Sequence, residues 1–582
     1  MSPQLLAVAL LAGGALALEV LLTRILAIVH WHHFAGMVIS LALLGYGASG
    51  SVLTLLRGRL RPYAVLAFAC SAALFGLTAV AAVAIAQRVP FNALELIWSP
   101  RQWLWAAVLY LLFAVPFFFA AGCTGLALAC FRAPVGLIFG FDLIGAGTGA
   151  LAAVGILALL RPDRALPLIA LAGPAAAVLA LAGAGHRRAA AGMLAVAALL
   201  LGMAAGGRPA LRTSPFKPLP QTLLVEGTTI AAERTSPIGL VEVVRSERVP
   251  FRLATGLSLM NRQEPAPQLG LFVDGEGPVP ITRFTGDWEP LAYLDATLAA
   301  LPYRLQQGRR FDVLLLGLGG GSDLLLALRH GAARVDIVEP ERSVTGLIEH
   351  ELAGFAGPIL SRPEVRLHVG TARQFTAASR ATFRLIVLPP YPSDGRSTLA
   401  EGFATTVEAF TGYLRRLEPE GLLALQHPLR LPPRDSLRLV ATALAALGRL
   451  GVAEPARHLL LVRSWDSVLL LVRRTPFPER ELAAVDAFAE ALAFDLGWRP
   501  GMMRAMADRF NLLGEPVLFD GVTALTGPDA AGFVAGYAFD IRPATDDRPY
   551  FHDFFRCGHC RRCGRRHARA MPACSTGAGP CS

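Results

Sequence analysis

The sequence predicts a multi-pass α-helical membrane domain followed by an α/β domain with a doubly wound parallel sheet, and a small β-region ahead of that sheet. Three observations carry this expectation. The 582-residue chain has a mean hydropathy of +0.49, too apolar for a wholly soluble protein. Its apolar residues crowd into positions before about 205, after which charge and proline rise at Gly206-Gly207-Arg208-Pro209. Further on, Phe311 to Glu339 reads as strand, glycine turn, helix, strand, acid, the order of a nucleotide-binding βαβ unit.

Apolar runs long enough to span a bilayer fall at 4–29, 34–56, 63–87, 102–130, 134–160, 165–184 and 189–206, giving about seven helices in a domain covering 1–207. The first run lacks a basic leader and a clear cleavage site, so it reads as an uncleaved span. Basic loops at Arg57/Arg59/Arg61 and Arg187/Arg188 favour a cytoplasmic N-terminus, and seven spans would then leave the following domain outside. Arg88, Arg101, Arg161 and Arg164 occupy the opposite loops, so the bias is slight and a change of one span reverses the side. Glu19, Arg24 and Asp142 fall inside spans, where ionisable groups are costly. They read either as a functional site or as charges that neutralise one another, Glu19 with Arg24 or Arg24 with Asp142. His30, His32 and His33 flank Trp31 and read as interfacial residues ahead of a metal site.

The net charge of +11 comes almost wholly from arginine, because Lys217 is the only lysine. A lysine-dependent phosphate loop is thereby excluded. The arginines form no basic stripe with interleaved aromatics, so membrane-flanking charge explains them better than nucleic acid does. Cys70, Cys123 and Cys130 lie in apolar runs and the other five cysteines follow Phe555, so no disulfide framework holds the segment between.

A linker and small β-region are expected over 208–300. Gly239–Arg245 and Leu269–Val273 alternate as strands, Asp274-Gly275 closes the β-region with turn chemistry, and Leu291–Leu301 has helical spacing. The parallel α/β domain is placed at 301–475. Val313–Leu316 breaks into Gly317-Leu318-Gly319-Gly320-Gly321, a helix follows to His330, and the next strand ends at Glu339. Glycines allow a tight turn and close approach to a ligand, and a carboxylate ending the second strand can bind ribose hydroxyls. A helix at Ser343–Leu352, strands Val365–Val369, Arg384–Leu388 and Leu422–Gln426, and a helix at Thr405–Arg416 continue the alternation. Gly317, Glu339, Gly370 and Pro389 would then rim one crevice at the carboxyl ends of the strands.

Residues 476–556 read as mainly helical, and Thr545-Asp546-Asp547-Arg548-Pro549 as a capped, salt-bridged turn. The tail at 557–582 has Cys557, Cys560 and Cys563 at C-x2-C-x2-C spacing, compatible with zinc or an iron–sulfur cluster. It lacks a fourth ligand at the ferredoxin distance and a second C-x2-C pair. An out-of-frame, unstructured ending of a GC-rich coding sequence is the favoured reading, and no metal site is assigned.

The order of these motifs resembles the spermidine synthase (polyamine aminopropyltransferase) family, and more closely its membrane-attached bacterial relatives. Val273-Asp274-Gly275, Asp287-Trp288-Glu289 and Tyr293 resemble the family's aspartate-glycine, acidic pair and tyrosine. Gly317–Gly321 is similar to its glycine loop, Glu339 to its ribose-binding acid, and Thr406–Phe410 through Gln426 to its helix and strand after the active site. The spans and Asp546-Asp547-Arg548-Pro549 resemble the membrane-attached relatives. The chain departs from the pattern at Gly320, where the synthases carry an aspartate, and at Gly370-Thr371, where they carry a Gly-Asp that contacts adenine. Pro389 stands where they carry the aspartate that activates the attacking amine. A protonated amine is no nucleophile, so these replacements weigh against unaltered aminopropyl transfer.

The resemblance implies a Rossmann, methyltransferase-like sheet binding S-adenosylmethionine or decarboxylated S-adenosylmethionine as co-substrate. Gly317, Gly319, Gly320, Gly321, Glu339 and Thr371 would contact the donor, and Asp394, Tyr391 and Asp287 the acceptor side. The expected function is aminopropyl transfer to an amine. A methyltransferase, and a non-catalytic transporter or sensor using Glu19, Arg24 and Asp142, are the alternatives. The expected partners are a small-molecule substrate, a polyamine in the first reading, and membrane lipid, with no nucleic acid; a homo-oligomer is compatible. The expected location is the bacterial inner membrane.

Overall fold

The structure is a computed structural model that describes residues 2–30, 36–92, 95, 99–207, 209–389 and 401–556. The chain divides into two compact units, Met1–Leu253 with Pro267–Thr285 and Glu341–Pro358, and Ala254–Ala266 with Gly286–Pro340 and Ile359–Ser582.

The first unit contains the apolar helices α1 (Pro3–Val29), α2 (Val38–Leu60), α3 (Ala64–Ala86), α4 (Pro100–Cys130), α5 (Val135–Leu159), α6 (Pro162–Ala170), α7 (Ala172–Gly183) and α8 (Arg187–Ala205). Among the described residues they make six helical stretches long and apolar enough to cross a membrane, where the sequence suggests about seven. The difference lies in the 49-residue stretch Val38–Ala86, which joins α2 to α3 through a turn at Arg61–Tyr63. Its two halves run in opposite directions along α4. A Cβ on Gly45 would come within 2.6 Å of the Ala114 carbonyl and one on Gly125 within 2.5 Å of Leu53, so α2 is parallel to α4. The Cys123 thiol lies 3.3 Å from the Phe68 carbonyl, and the Asn92 N–H donates to Gln102 at 3.0 Å, so α3 is antiparallel to it. With α6 and α7 forming one pass, the described bundle makes seven passes from end to end.

Small residues allow the closest crossing. A Cβ on Gly145 would run into the Ala9 carbonyl, and one on Gly149 into that of Gly13, so α1 and α5 meet backbone to backbone as small-xxx-small pairs do. The expected neutralisation of Arg24 within the bundle is not what forms. Arg24 donates to both Asp274 oxygens, at 2.7 and 3.0 Å, and Asp142 accepts instead from the Thr124 hydroxyl at 3.2 Å. His30 is buried edge-on to Phe91, whereas Trp31, His32 and His33 lie outside the described residues.

The same unit holds the small antiparallel sheet, β1 (Thr228–Thr235), β2 (Leu240–Ser246), β3 (Gln268–Val273) and β4 (Glu276–Thr282), in the order β1-β2-β3-β4. Asp274-Gly275 therefore turns a hairpin into a fourth strand and does not close the region. Asp274 at φ 51 and Gly275 at φ 77 supply the left-handed turn.

The second unit is built on an eight-stranded sheet among the described residues: β5 (Asp312–Leu315), β6 (Arg334–Glu339), β7 (Val365–Val369), β8 (Phe383–Leu388), β9 (Leu417–Pro428), β10 (Leu459–Arg463), β11 (Ser467–Val472) and β12 (Asp495–Trp498). Their order is β12-β10-β11-β9-β8-β5-β6-β7. The β5 to β9 block is parallel and runs 3-2-1-4-5 in chain order, the doubly wound arrangement with its switch point between β5 and β8. β11 pairs antiparallel with β9, and β10 antiparallel with β11, which gives the methyltransferase-like form of the sheet. The inner strands such as β10 and β11 are near-continuous buried apolar runs because both their faces are covered, whereas the edge strand β7, Val-Arg-Leu-His-Val, has no buried residue. Phe410, Tyr413 and Leu414 of the helix Val407–Arg415 and Leu437, Val440 and Leu447 of Arg434–Arg449 bury one such face.

Several elements differ from expectation. Leu291–Leu301 forms 3-10 turns, at Glu289–Ala296 and Leu298–Ala300, and not an α-helix, Pro290 preceding a stretch too short to propagate one. Gly370-Thr371-Ala372-Arg373, which reads as a turn in the sequence, instead leads into a helix, Ala372–Ala378. The region after 476 contributes β12 as well as the helices Glu479–Ala491, Val517–Thr526 and Ala530–Gly536. The tail at 557–582 lies outside the described residues.

Candidate functional site: the glycine loop and the acid after the second parallel strand

In an open parallel sheet the strand carboxyl ends beside the switch point are where the chain is free to build a site. β5, β6, β7 and β8 end at Leu315, Glu339, Val369 and Leu388, so Gly317, Glu339, Gly370 and Pro389 follow or close four neighbouring strands on one edge.

The loop from Gly317 needs its glycines. Gly317, Gly319 and Gly321 adopt φ of 130°, 54° and 91°, conformations an L side chain rarely takes. Gly320 is not in that region. The Leu316 N–H donates to the Val387 carbonyl at 2.9 Å, extending the β5–β8 pairing to the brink of the loop. The Gly321 N–H then closes a turn onto the Leu318 carbonyl at 2.9 Å, and Gly321 caps the helix Ser322–Arg329. The first N–H groups of that helix have no acceptor within it, the usual setting for an anionic or hydroxyl-bearing ligand.

Glu339 is fully buried, and its Oε2 accepts the Leu318 N–H at 2.9 Å. The acid ending β6 thus braces the glycine loop ending β5. Glycine loop and acid are brought into direct contact, as the βαβ reading expects. The covered carboxylate can meet a ribose only if the groups over it give way.

The other candidates are placed differently. Thr371 caps the helix Ala372–Ala378 in a reciprocal box: its hydroxyl accepts the Gln374 N–H at 3.3 Å and its own N–H donates to Gln374 Oε1 at 3.0 Å. Asp287 is exposed and accepts the Glu289 N–H at 3.0 Å, capping the 3-10 turn there. Tyr391 and Asp394 lie outside the described residues. Gln426 donates to the Thr255 carbonyl at 3.2 Å and to Ser467 at 3.1 Å. Asp546 accepts from the Thr406 hydroxyl at 2.7 Å and pairs with Arg373, and its N–H donates to Glu408 at 2.9 Å, so the Asp-Asp-Arg-Pro element acts as a tied turn.

Two acids escaped notice in the sequence. Asp323, half-buried in the first turn after the glycine loop, is pushed up to about 6 by burial. Its signal was its position three residues past Gly320, where the loop aspartate of the resembling family is missing. Asp295 is held at about 2 by hydrogen bonds from His330 at 2.9 Å and Arg329 at 2.9 Å, which outweigh its desolvation. It anchors the far end of the same helix, and only pairing across 34 residues of sequence separation reveals it.

No family model and no curated protein matches the chain. Among solved structures it is similar to a spermidine synthase in complex with the transition-state analogue AdoDATO, at 14% identity over 49% of this chain and 84% of that one, with a TM-score of 0.30. A probable spermidine synthase from Corynebacterium glutamicum is 16% identical over 45% of this chain and 87% of that one, with a TM-score of 0.31. Human methyltransferase-like protein 13 in complex with SAH is 21% identical over 35% of this chain and 93% of that one, with a TM-score of 0.25. The fold assignment rests on strand order and direction, not on these likenesses.

Proposed function

We propose that this chain is a membrane-bound transferase whose second unit binds a sulfonium nucleoside, S-adenosylmethionine or its decarboxylated form, at the β5–β8 edge. The observation that carries this reading is the contact of Glu339 with a loop of three left-handed glycines. Gly317 to Gly321 would let the donor approach the backbone, and Glu339 would exchange its Leu318 partner for ribose hydroxyls. A sulfonium carries its own leaving group, so the protein has mainly to position donor and acceptor. The residues resembling an aminopropyltransferase favour transfer to an amine; methyl transfer is the second reading, favoured by Pro389 standing where that family carries the amine-activating aspartate.

The thioether released separates the two. Aminopropyl transfer from decarboxylated S-adenosylmethionine leaves methylthioadenosine, and methyl transfer from S-adenosylmethionine leaves S-adenosylhomocysteine. Incubation of the purified full chain with each donor and a panel of amines, followed by mass spectrometry, is expected to yield one of these above a protein-free control. Release of neither refutes both transferase readings.

A further inference from the structure

The first unit contains a buried layer of charge unrelated to the glycine loop. Lys217 is fully buried and donates to the Ala27 carbonyl near the end of α1 at 2.6 Å and to the Asp274 carbonyl at 2.7 Å. Arg24 of α1 grips the Asp274 carboxylate with two hydrogen bonds, and the Leu240 N–H donates to the same carboxylate at 2.9 Å. Arg161, just before α6, pairs with Glu233 of β1 and at 3.4 Å with Asp163. Between these pairs sits Glu242 of β2, whose Cα partner across the strands is Glu233. Glu242 is only 6% exposed, and its buried Oε2 has no hydrogen-bond partner among the described residues.

Arg161 and Lys217 lie near Glu242, as do the carboxylates of Glu233 and Asp274, and neither cation donates to its Oε2 among the described residues. A buried carboxylate opposite another carboxylate, lacking a donor for one oxygen, is costly as an anion. Adding a proton relieves it.

We propose that Glu242 is a proton-binding site, and that its protonation relieves a buried carboxylate set opposite Glu233 in the layer through which the small sheet holds the end of α1. Burial first, then the Glu233 charge, raises the Glu242 carboxyl from its ordinary 4.5 to about 7. A folded-state value raised in this way gives stability that is complete below the unfolded value. That stability is lost as pH rises through the folded one, here between about 4.5 and about 7. The device responds to protons on the side of the bundle where the sheet lies.

Infrared spectroscopy of the full chain in detergent tests this. The expected result is a protonated-carboxyl component present at about pH 5.5, lost by about pH 8.5 and missing from Glu242→Gln, with the contribution of Asp323 left in place. No band titrating in that range, or a band undiminished in Glu242→Gln, overturns the proposal. Should Glu242→Gln fail to fold, Glu233→Gln serves: removing the facing carboxylate is expected to lower the midpoint of the band by about half a unit or more, and an unmoved midpoint overturns the proposal.

Discussion

Glu339 and Asp323 show two ways a carboxylate can be held beside a glycine loop. Glu339 has a donor, the Leu318 N–H, whereas Asp323 is desolvated and lifted to about 6. The consequence for Asp323 has a definite sign. Its folded value stands above the ordinary 3.8, so the stability it lends is complete below about pH 4 and lost as pH rises through about 6. Asp323→Asn should therefore raise the melting temperature near neutral pH and flatten its decline between about pH 4 and pH 6, as read by thermal melts across that range. A variant that melts lower at neutral pH would show the carboxylate to be stabilising. Glu339 was legible in the sequence because an acid about 20 residues past a glycine turn is a local pattern. Asp323 was not, because its character comes from enclosure by residues distant in the chain.

Among elements, the glycine loop depends on backbone conformation. Gly319 at φ 54 is one position where a side chain is strained whatever the space around it. Gly319→Ala should cost about 1–2 kcal/mol of stability, measured by chemical unfolding, and weaken donor binding with it. In the bundle, Gly145 meets the Ala9 carbonyl so closely that Gly145→Leu should part α1 from α5, costing about 1–3 kcal/mol or more and lowering the melting temperature in detergent. Periodicity and turn chemistry made β5 to β9 and their glycine turn readable, since each is an apolar run with clear punctuation. They did not make β4 readable, where Pro278 and Pro280 interrupt Glu276–Thr282, nor β12, a four-residue edge strand after a helix. The partner of Arg24 was also beyond reach. Asp274 lies 250 residues away, and nothing local distinguishes it from Glu19 as a counter-charge.

At the scale of the whole molecule, the directions of the helices decide the topology. α2 runs parallel to α4 and α3 antiparallel to it, so the turn at Arg61–Tyr63 and the chain leaving α8 lie at opposite ends of the bundle. Topology reporters inserted at that turn and after residue 208 should report opposite sides of the membrane. The same side for both would contradict the seven-pass reading. The proposal that the chain binds a sulfonium nucleoside rests on a doubly wound sheet whose switch-point edge carries a glycine loop and a buried acid. Isothermal calorimetry of the purified full chain with S-adenosylmethionine, its decarboxylated form and their thioethers tests it most directly. Saturable binding of at least one of them is expected, and its loss in Glu339→Ala at a temperature where circular dichroism shows that variant folded, its melting temperature being lowered by the lost Leu318 hydrogen bond. Absence of binding by all of them, or unchanged affinity in folded Glu339→Ala, would contradict it.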